Sequence, residues 1–464
     1  MRTFLYLIFV LLPVAAQAGD LLRLYDMAQR NDAAFNTAQH VRDVALESEP
    51  AARALLLPQL GASYDMTFND SDTTVSYTDP TLNIPVTLNR SNHGTDRSLS
   101  VSLSQPLFNL EAWRRLQQAG EQTALAQLSY RASEQALLLR VAKAYFALLS
   151  ANDGLRSATA EKDALRRQLD LAQQNLEIGS SSFTDVQDVQ VRYDLSLASE
   201  LDADQALTEA SAALEEITKE PLSHIDEERV RVVPLAGTEP PAPRLAALRE
   251  DFPLPAPQPA DVEQWVANAT IGNLDVTSAL LNFNVAARGI DVAKARYLPT
   301  LGAKLAYSDF KTASGSFPTE SNGAAVTVGL SVPLYSGGSV RSAVRAAEAL
   351  RDQRLSEYDG AQRLVERNTR SAFKGVLTGA ARTRAYQRAV ASSRSALEAS
   401  QTGLEIGTRS AIDVLDAQQQ RYRAERDYER SRYDYLLSIL KLKAAAGSLS
   451  QHDLAEVDAL LVSR

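Results

Sequence analysis

Apolar positions change their spacing several times along this chain. Between residues 112 and 178 they fall three and four apart, as in Leu165, Leu169, Ala172 and Leu176. Further on they fall seven apart, as in Val390, Leu397 and Leu404. Such steps predict helices with a narrow apolar stripe. Proline is absent between Pro106 and Pro221 and again after Pro333. A proline inside a helix costs about 3 kcal/mol or more, so both windows permit unbroken helix. A helix from Ala112 to Ile178 would hold roughly 67 residues and run about 100 Å. The stripes are rich in alanine and serine, which predicts helices lying side by side with water on two faces rather than around one compact core.

Two near-identical stretches punctuate these windows: LEIGSSSFTDVQD (Leu176 to Asp188) and LEIGTRSAIDVLD (Leu404 to Asp416). Gly179 and Gly407 fall where a left-handed helix C-terminus favours glycine. A short polar turn follows each, and helical spacing resumes from Val186 to about Lys219 and from Val414 to about Ala446. Each unit is therefore a long helical hairpin, and the repeated words are its tip. Asp185 with Asp188, and Asp413 with Asp416, are three apart and share a helix face.

Elsewhere the period drops to two. Leu60, Ala62, Tyr64, Met66 and Phe68 alternate with smaller or polar residues, as do Leu99, Val101 and Leu103. Leu301, Ala303, Leu305 and Tyr307, then Val326, Val328, Leu330 and Val332, repeat the pattern. Four strands of about nine residues result, the length a tilted membrane strand needs. Residues 69–97 and 311–324 are rich in Ser, Thr, Asn, Asp and Gly and are expected to be loops. Phe108, Phe310 and Tyr335 at the strand margins are suited to an interfacial aromatic girdle.

The repetition covers more than the tips. LPQLGA at Leu57–Ala62 returns as LPTLGA at Leu298–Ala303, and PLF at Pro106–Phe108 returns as PLY at Pro333–Tyr335. The first pair is 241 residues apart and the second 227, which predicts about 14 extra loop residues in the first strand pair. The fold class is mainly α with membrane β, on a duplicated plan of helix, β-hairpin and long helical hairpin. The expected organisation runs as follows: a signal peptide (1–18), a helical segment (19–58), β-hairpin 1 (59–108) and helical hairpin 1 (109–220). A Pro-rich linker (221–262) then leads to a second helical segment (263–300), β-hairpin 2 (301–335), helical hairpin 2 (336–446) and a C-terminal tail (447–464).

The first residues, MRTFLYLIFVLLPVAAQAGD, set Arg2 before an apolar run and end in Ala16-Gln17-Ala18, a secretory signal peptide with the mature chain expected to begin at Gly19. The chain has no cysteine, so disulfides, thiolate metal sites and a lipidated cysteine are not expected. His40, His93, His224 and His452 share no ligand spacing, and neither a metal nor a cofactor is expected. A net charge of −9 without a basic cluster argues against a nucleic-acid partner. Beyond the signal no apolar run is long enough for a membrane helix, so strands must do any crossing.

Four strands cannot close a barrel, and an open sheet edge cannot face lipid with its amides unpaired. Several copies must contribute: two would give eight strands and a filled interior, three would give twelve and room for a lumen.

Taken together, the signal peptide, the duplicated plan, LPQLGA and LPTLGA, PLF and PLYSGG, and above all GTRSAIDVLDA resemble the TolC-like outer-membrane efflux and secretion channels over essentially the whole mature chain. The resemblance implies a homotrimer, with a 12-stranded β-barrel in outer-membrane lipid continuous with a periplasmic α-helical barrel. Its closed end lies at the hairpin tips. There a periplasmic adaptor (a membrane fusion protein) and an inner-membrane translocase of ABC, RND or MFS type would dock. The channel would be passive and no enzyme, serving tripartite efflux or type I secretion.

Asp413 and Asp416 match the family's aspartates that ring the entrance. Arg409 matches its latch arginine, and Thr184 and Asp185 match the partners of that arginine. Gly179 and Gly407 would lie at the adaptor contact. The family's other tie is a tyrosine where this chain has Leu404, which removes one hydroxyl hydrogen bond. Six carboxylates about 8 Å apart, at an effective dielectric of about 40, repel by about 1 kcal/mol per pair. Such a ring is expected to raise some aspartate pKa values and to bind multivalent cations. A competing reading is a periplasm-spanning structural anchor that conducts nothing. An adaptor would need lipoyl-like β modules around a single hairpin, and an enzyme would need a nucleophile, metal cluster or phosphate loop that the sequence does not show.

Overall fold

The computed structural model describes residues 20–180, 182–220, 247–249, 253–313 and 319–462. The signal peptide and most of the Pro-rich linker lie outside these residues. The first elements are α1 (Asp20–Asn31), α2 (Ala33–Leu46), α3 (Ser48–Ala54), β1 (Gln59–Thr78) and β2 (Pro85–Phe108). α4 (Leu110–Glu177), α5 (Phe183–Thr218) and a two-residue β3 (Ala247–Leu248) follow. Then come α6 (Val262–Gly272), α7 (Leu274–Ala295), β4 (Thr300–Thr312) and β5 (Thr319–Ser331). The chain ends with α8 (Ser339–Glu405), α9 (Ala411–Ala445), α10 (Gln451–Asp458) and β6 (Leu461–Val462). The proline-free windows deliver what they predicted: α4 has 68 residues and α8 has 67. No described helix is long and apolar enough to cross a membrane.

The chain divides into two compact units. One comprises the described parts of residues 1–40, 129–277 and 360–464. Its core departs from the expectation of thin stripes. α1 buries Leu21, Leu24, Tyr25 and Ala28, one face at steps of three and four. These meet Leu137, Val141, Tyr145 and Leu148 of α4, Leu214 of α5 and Tyr433, Leu436 and Leu440 of α9. The tail, expected only as a segment, closes this core: Leu454 and Val457 of α10 are buried, and β6 pairs antiparallel with β3. Burying whole leucine and tyrosine side chains contributes roughly 1.5–3 kcal/mol each, so this stretch anchors the unit. Phe146 and Tyr433 stack with centroids 5.9 Å apart, and the Tyr433 hydroxyl donates to Asp153 Oδ2 at 2.6 Å. Burial, with Asp153 beside it, holds the Tyr433 phenol well above its ordinary pKa.

The other unit, residues 41–128 and 278–359, carries a four-stranded antiparallel sheet in the order β1-β2-β4-β5. Within it Gln118 Nε2 donates to Val285 O, and Arg296 Nε lies 3.2 Å from Glu111, which fastens α7 to α4 beside the sheet. The strands are longer than the alternation of apolar residues suggests. β1 has 20 residues and β2 has 24, against 13 each for β4 and β5. Residues 69–97, expected to be a loop, are largely strand, paired from Asn69↔Gly94 to Thr78↔Pro85. Cross-strand hydrogen bonds such as Thr74 Oγ1 to Asn89 Oδ1 hold this polar ladder where no apolar alternation advertises it. The extra residues of the first hairpin therefore lengthen strands rather than a loop. In the second hairpin the strands likewise extend into residues 311–324, while 314–318 lie outside the described residues. Phe310 lies inside β4 rather than beyond it, Phe108 ends β2, and Tyr335 follows β5 at 89% exposure.

Candidate functional site: the hairpin tips

Both tips are built by the same local rules. After α4, the Gly179 N–H donates to Leu176 O and the Ser180 N–H to Asn175 O; after α8, Gly407 donates to Leu404 O and Thr408 to Gly403 O. These paired bonds close the last turn and need a left-handed residue, which Gly179 (φ +74°) and Gly407 (φ +77°) supply. The following helices each start with a reciprocal cap. Asp185 N–H donates to Ser182 Oγ at 3.1 Å while Ser182 N–H donates to Asp185 Oδ2 at 3.1 Å. At the second tip, Asp413 N–H donates to Ser410 Oγ at 3.2 Å, and both Ser410 N–H and Oγ–H donate to Asp413 Oδ2 at 2.8 Å. Ser-x-x-Asp before a helical run is a capping signature legible in the sequence.

The two acids of the second tip therefore do different work. The first belongs to the start of its own helix. The hydrogen bonds from Ser410, reinforced by Arg409, hold the Asp413 carboxyl below the ordinary carboxylate range. The second acid looks outward from its helix: Asp416 Oδ1 lies 2.7 Å from Arg192 Nη2 on α5. Arg192 was missed from sequence because its partner is 224 positions away and nothing local links them.

Arg409 is 58% exposed, and among the described residues its ionic partner is Asp413, 3.8 Å away, rather than Asp185. Its stem crosses Gly403, where an added Cβ would stand 2.5 Å from Arg409 Cγ and 3.3 Å from Thr408 Oγ1. Gly403 is thus a second residue unseen in the sequence reading: it provides the room in which the arginine lies. Thr184 Oγ1 sits 2.6 Å from Ser182 Oγ, beside the cap of its own tip. Leu404, at the place of the family tyrosine, is 38% exposed.

The tips are joined within one chain. Val186 and Val189 of α5 and Leu415 of α9 are buried against Leu165 and Leu169 of α4. Lys162 Nζ contacts both oxygens of Glu200 at 2.8 Å, linking α4 to α5. Arg394 and Arg421 share Glu425 at 2.8 and 3.1 Å, linking α8 to α9. Tyr422 donates to Ala160 O at 3.3 Å, across from the second hairpin to the first.

Paired helical hairpins whose acidic tips meet, on a chain that also carries a long-stranded sheet, match one family model, described as outer membrane efflux protein, over residues 24–218 and 265–448. The chain belongs to this family. It is 32% identical over 449 residues to the outer membrane protein TolC of Vibrio cholerae, covering 96% of this chain and 94% of that one. It is 31% identical over 466 residues to the alkaline protease secretion protein AprF of Pseudomonas aeruginosa, covering 98% and 90%. Among solved structures, the Campylobacter jejuni CmeC outer membrane channel superposes with a TM-score of 0.72 at 16% identity, over 93% of this chain and 86% of that one, a likeness of fold. As an outer membrane efflux protein, this chain is a TolC-like channel component of the outer membrane with a helical periplasmic part, and it is not an enzyme.

Proposed function

We propose that the protein is the exit duct of a tripartite efflux or type I secretion system, passively conducting cargo delivered by an inner-membrane translocase and a periplasmic adaptor. The observation that carries this reading is the sheet: β1 and β5 are both edge strands, and Val326, Val328 and Leu330 on β5 are exposed. An apolar sheet with two unpaired edges is stable in lipid only when further copies close it. Three copies give twelve strands and room for a lumen, on the duplicated plan read from the sequence. Relatives named for efflux and for protease secretion support a wide, unselective passage.

Gating is proposed at the tips. In the trimer Asp413 and Asp416 would form an acidic ring, and Arg409 would leave Asp413 to latch onto Thr184 and Asp185 of a neighbouring copy. The exposure of Arg409 and its loose 3.8 Å contact support that exchange. Gly179 and Gly407 would present the tight turns to the adaptor. In planar bilayers the purified protein should pass current that trivalent cations block from the tip side. Replacing Asp413 and Asp416 together by Ala should abolish the block. A protein that carries no current would be a structural anchor instead, and unchanged block in the double variant would remove the ring. Arg409→Glu should raise both conductance and dye leakage.

A further inference from the structure

The first β-hairpin changes face partway along its length. Residues directly opposite one another in β1 and β2 share a face. Near the helices, one row carries the pairs Leu60↔Leu103, Ala62↔Val101 and Tyr64↔Leu99, then Met66↔Arg97, and ends at Phe68↔Thr95. The other row there is small or polar: Gly61↔Ser102, Ser63↔Ser100 and Asp65↔Ser98. Beyond that level both rows are polar, the second through Asn69↔Gly94, Ser71↔Asn92 and Thr73↔Arg90, before the assignments swap. The row that carried the apolar pairs continues as Asp70↔His93, Asp72↔Ser91, Thr74↔Asn89 and Ser76↔Thr87. His93 Nδ1 lies 2.5 Å from Asp70 Oδ1, which makes this a charged, hydrogen-bonded surface. The formerly polar row becomes Val75↔Leu88 and Tyr77↔Val86. Val75, Tyr77 and Leu88 are each about half exposed, as is Ile84 in the turn.

The apolar row ends where the sheet narrows, and the opposite row turns apolar only at the far end of the hairpin. β2 pairs with β4 only from Asp96 to Phe108, so residues 69–78 and 85–95 stand beyond it as a two-stranded ribbon. Such a ribbon is marginal on its own, and an apolar face left in water weakens it further.

We propose that this apolar face is an interaction surface for the same ribbon of the other copies, forming a hydrophobic constriction over the outer mouth of the barrel. The inference rests on the trimeric barrel proposed above. Below the swap the apolar row faces lipid, so the opposite row faces the lumen. In a closed symmetric barrel, what lies across the lumen is another copy. The patch sits on β1, the strand whose free edge the next copy closes, so it continues that interface outward. Reach is sufficient: ten residues of strand extend about 33 Å, whereas twelve strands spaced about 4.8 Å and tilted about 40° give a radius of about 12 Å. The Asp70–His93 contact stays on the outer side, where water and lipid headgroups satisfy it.

Because the chain has no cysteine, single thiols report directly. Tyr77→Cys and Ser76→Cys lie on opposite rows of one strand and are to be compared in the full-length, detergent-purified protein, with its mass measured by light scattering. With a short bis-maleimide, Tyr77→Cys should give several-fold more covalently linked copies than Ser76→Cys, and it should react more slowly with a bulky polyethylene-glycol maleimide. A trimer in which the two variants link and label alike overturns the constriction while leaving the duct reading intact. A Tyr77 thiol that is shielded yet never links would mean that lipopolysaccharide or cargo covers the face, which also overturns it. A monomeric protein would overturn the duct reading and the constriction together.

Discussion

The guanidinium of Arg192 lies 2.7 Å from the carboxylate of Asp416, and the two side chains belong to different helical hairpins. Asp416, expected from the sequence to line a pore ring, is in this chain a strut between the two hairpins. The two side chains are 25% and 61% exposed, so the pair is worth about 0.2–1 kcal/mol. Arg192→Ala should therefore leave the melting temperature nearly unchanged. It should raise single-channel conductance, because the hairpins separate more easily. Arg192→Lys, which keeps a cation for Asp416 and leaves that acid in place, should conduct close to wild type; if it conducts like Arg192→Ala, the strut does not hold the tips.

Gly403 sets the position of Arg409 without touching its charge. Gly403→Ala places a methyl 2.5 Å from Arg409 Cγ, so the arginine must leave its bed. Conductance of Gly403→Ala should rise as it does in Arg409→Ala, and adding Gly403→Ala to Arg409→Ala should change nothing more. Planar-bilayer recordings of the three variants decide this.

The Asp413 cap has a pH signature. Its carboxyl is held below the ordinary carboxylate range, chiefly by the bonds from Ser410. Its contribution to tip stability is complete above that range and is lost as pH falls through the lowered value. Hydrogen exchange at residues 407–416 should stay slow through mildly acidic pH in the wild type and quicken only in strong acid. Ser410→Ala, which removes a cap worth about 1 kcal/mol, should exchange faster at every pH and lose its remaining protection at a higher pH.

Tyr433 tests the core instead of the tips. Tyr433→Phe keeps the stack on Phe146 but removes the 2.6 Å bond to Asp153, which retains Arg156 at 2.8 Å. Hydrogen bonds to charged groups contribute about 1.5–3 kcal/mol, so the variant should melt at a lower temperature with unchanged conductance.

These residues also show how much could be read without coordinates. Helix lengths were legible because missing proline is a strong, local signal, and the turns at Gly179 and Gly407 because few residues tolerate positive φ. The long β1–β2 ribbon was not, since Ser, Thr, Asn and Asp are as common in turns as in solvated strands and only the cross-strand partner tells them apart. Nor was the core around Tyr145 and Tyr433, assembled from six helices spread along the sequence. At the tips the repeated acids were visible, but not their division of labour. Capping by Asp413 follows from Ser410 three residues before it. The bond from Asp416 to Arg192 follows only from the fold.

The two bare edges of the sheet also bear on how the protein is made. A lone chain that entered the bilayer would carry the unpaired amides of β1 and β5 into hydrocarbon, at several kcal/mol for each orphaned group. With the closure by further copies proposed above, insertion into lipid and subunit association would be a single event.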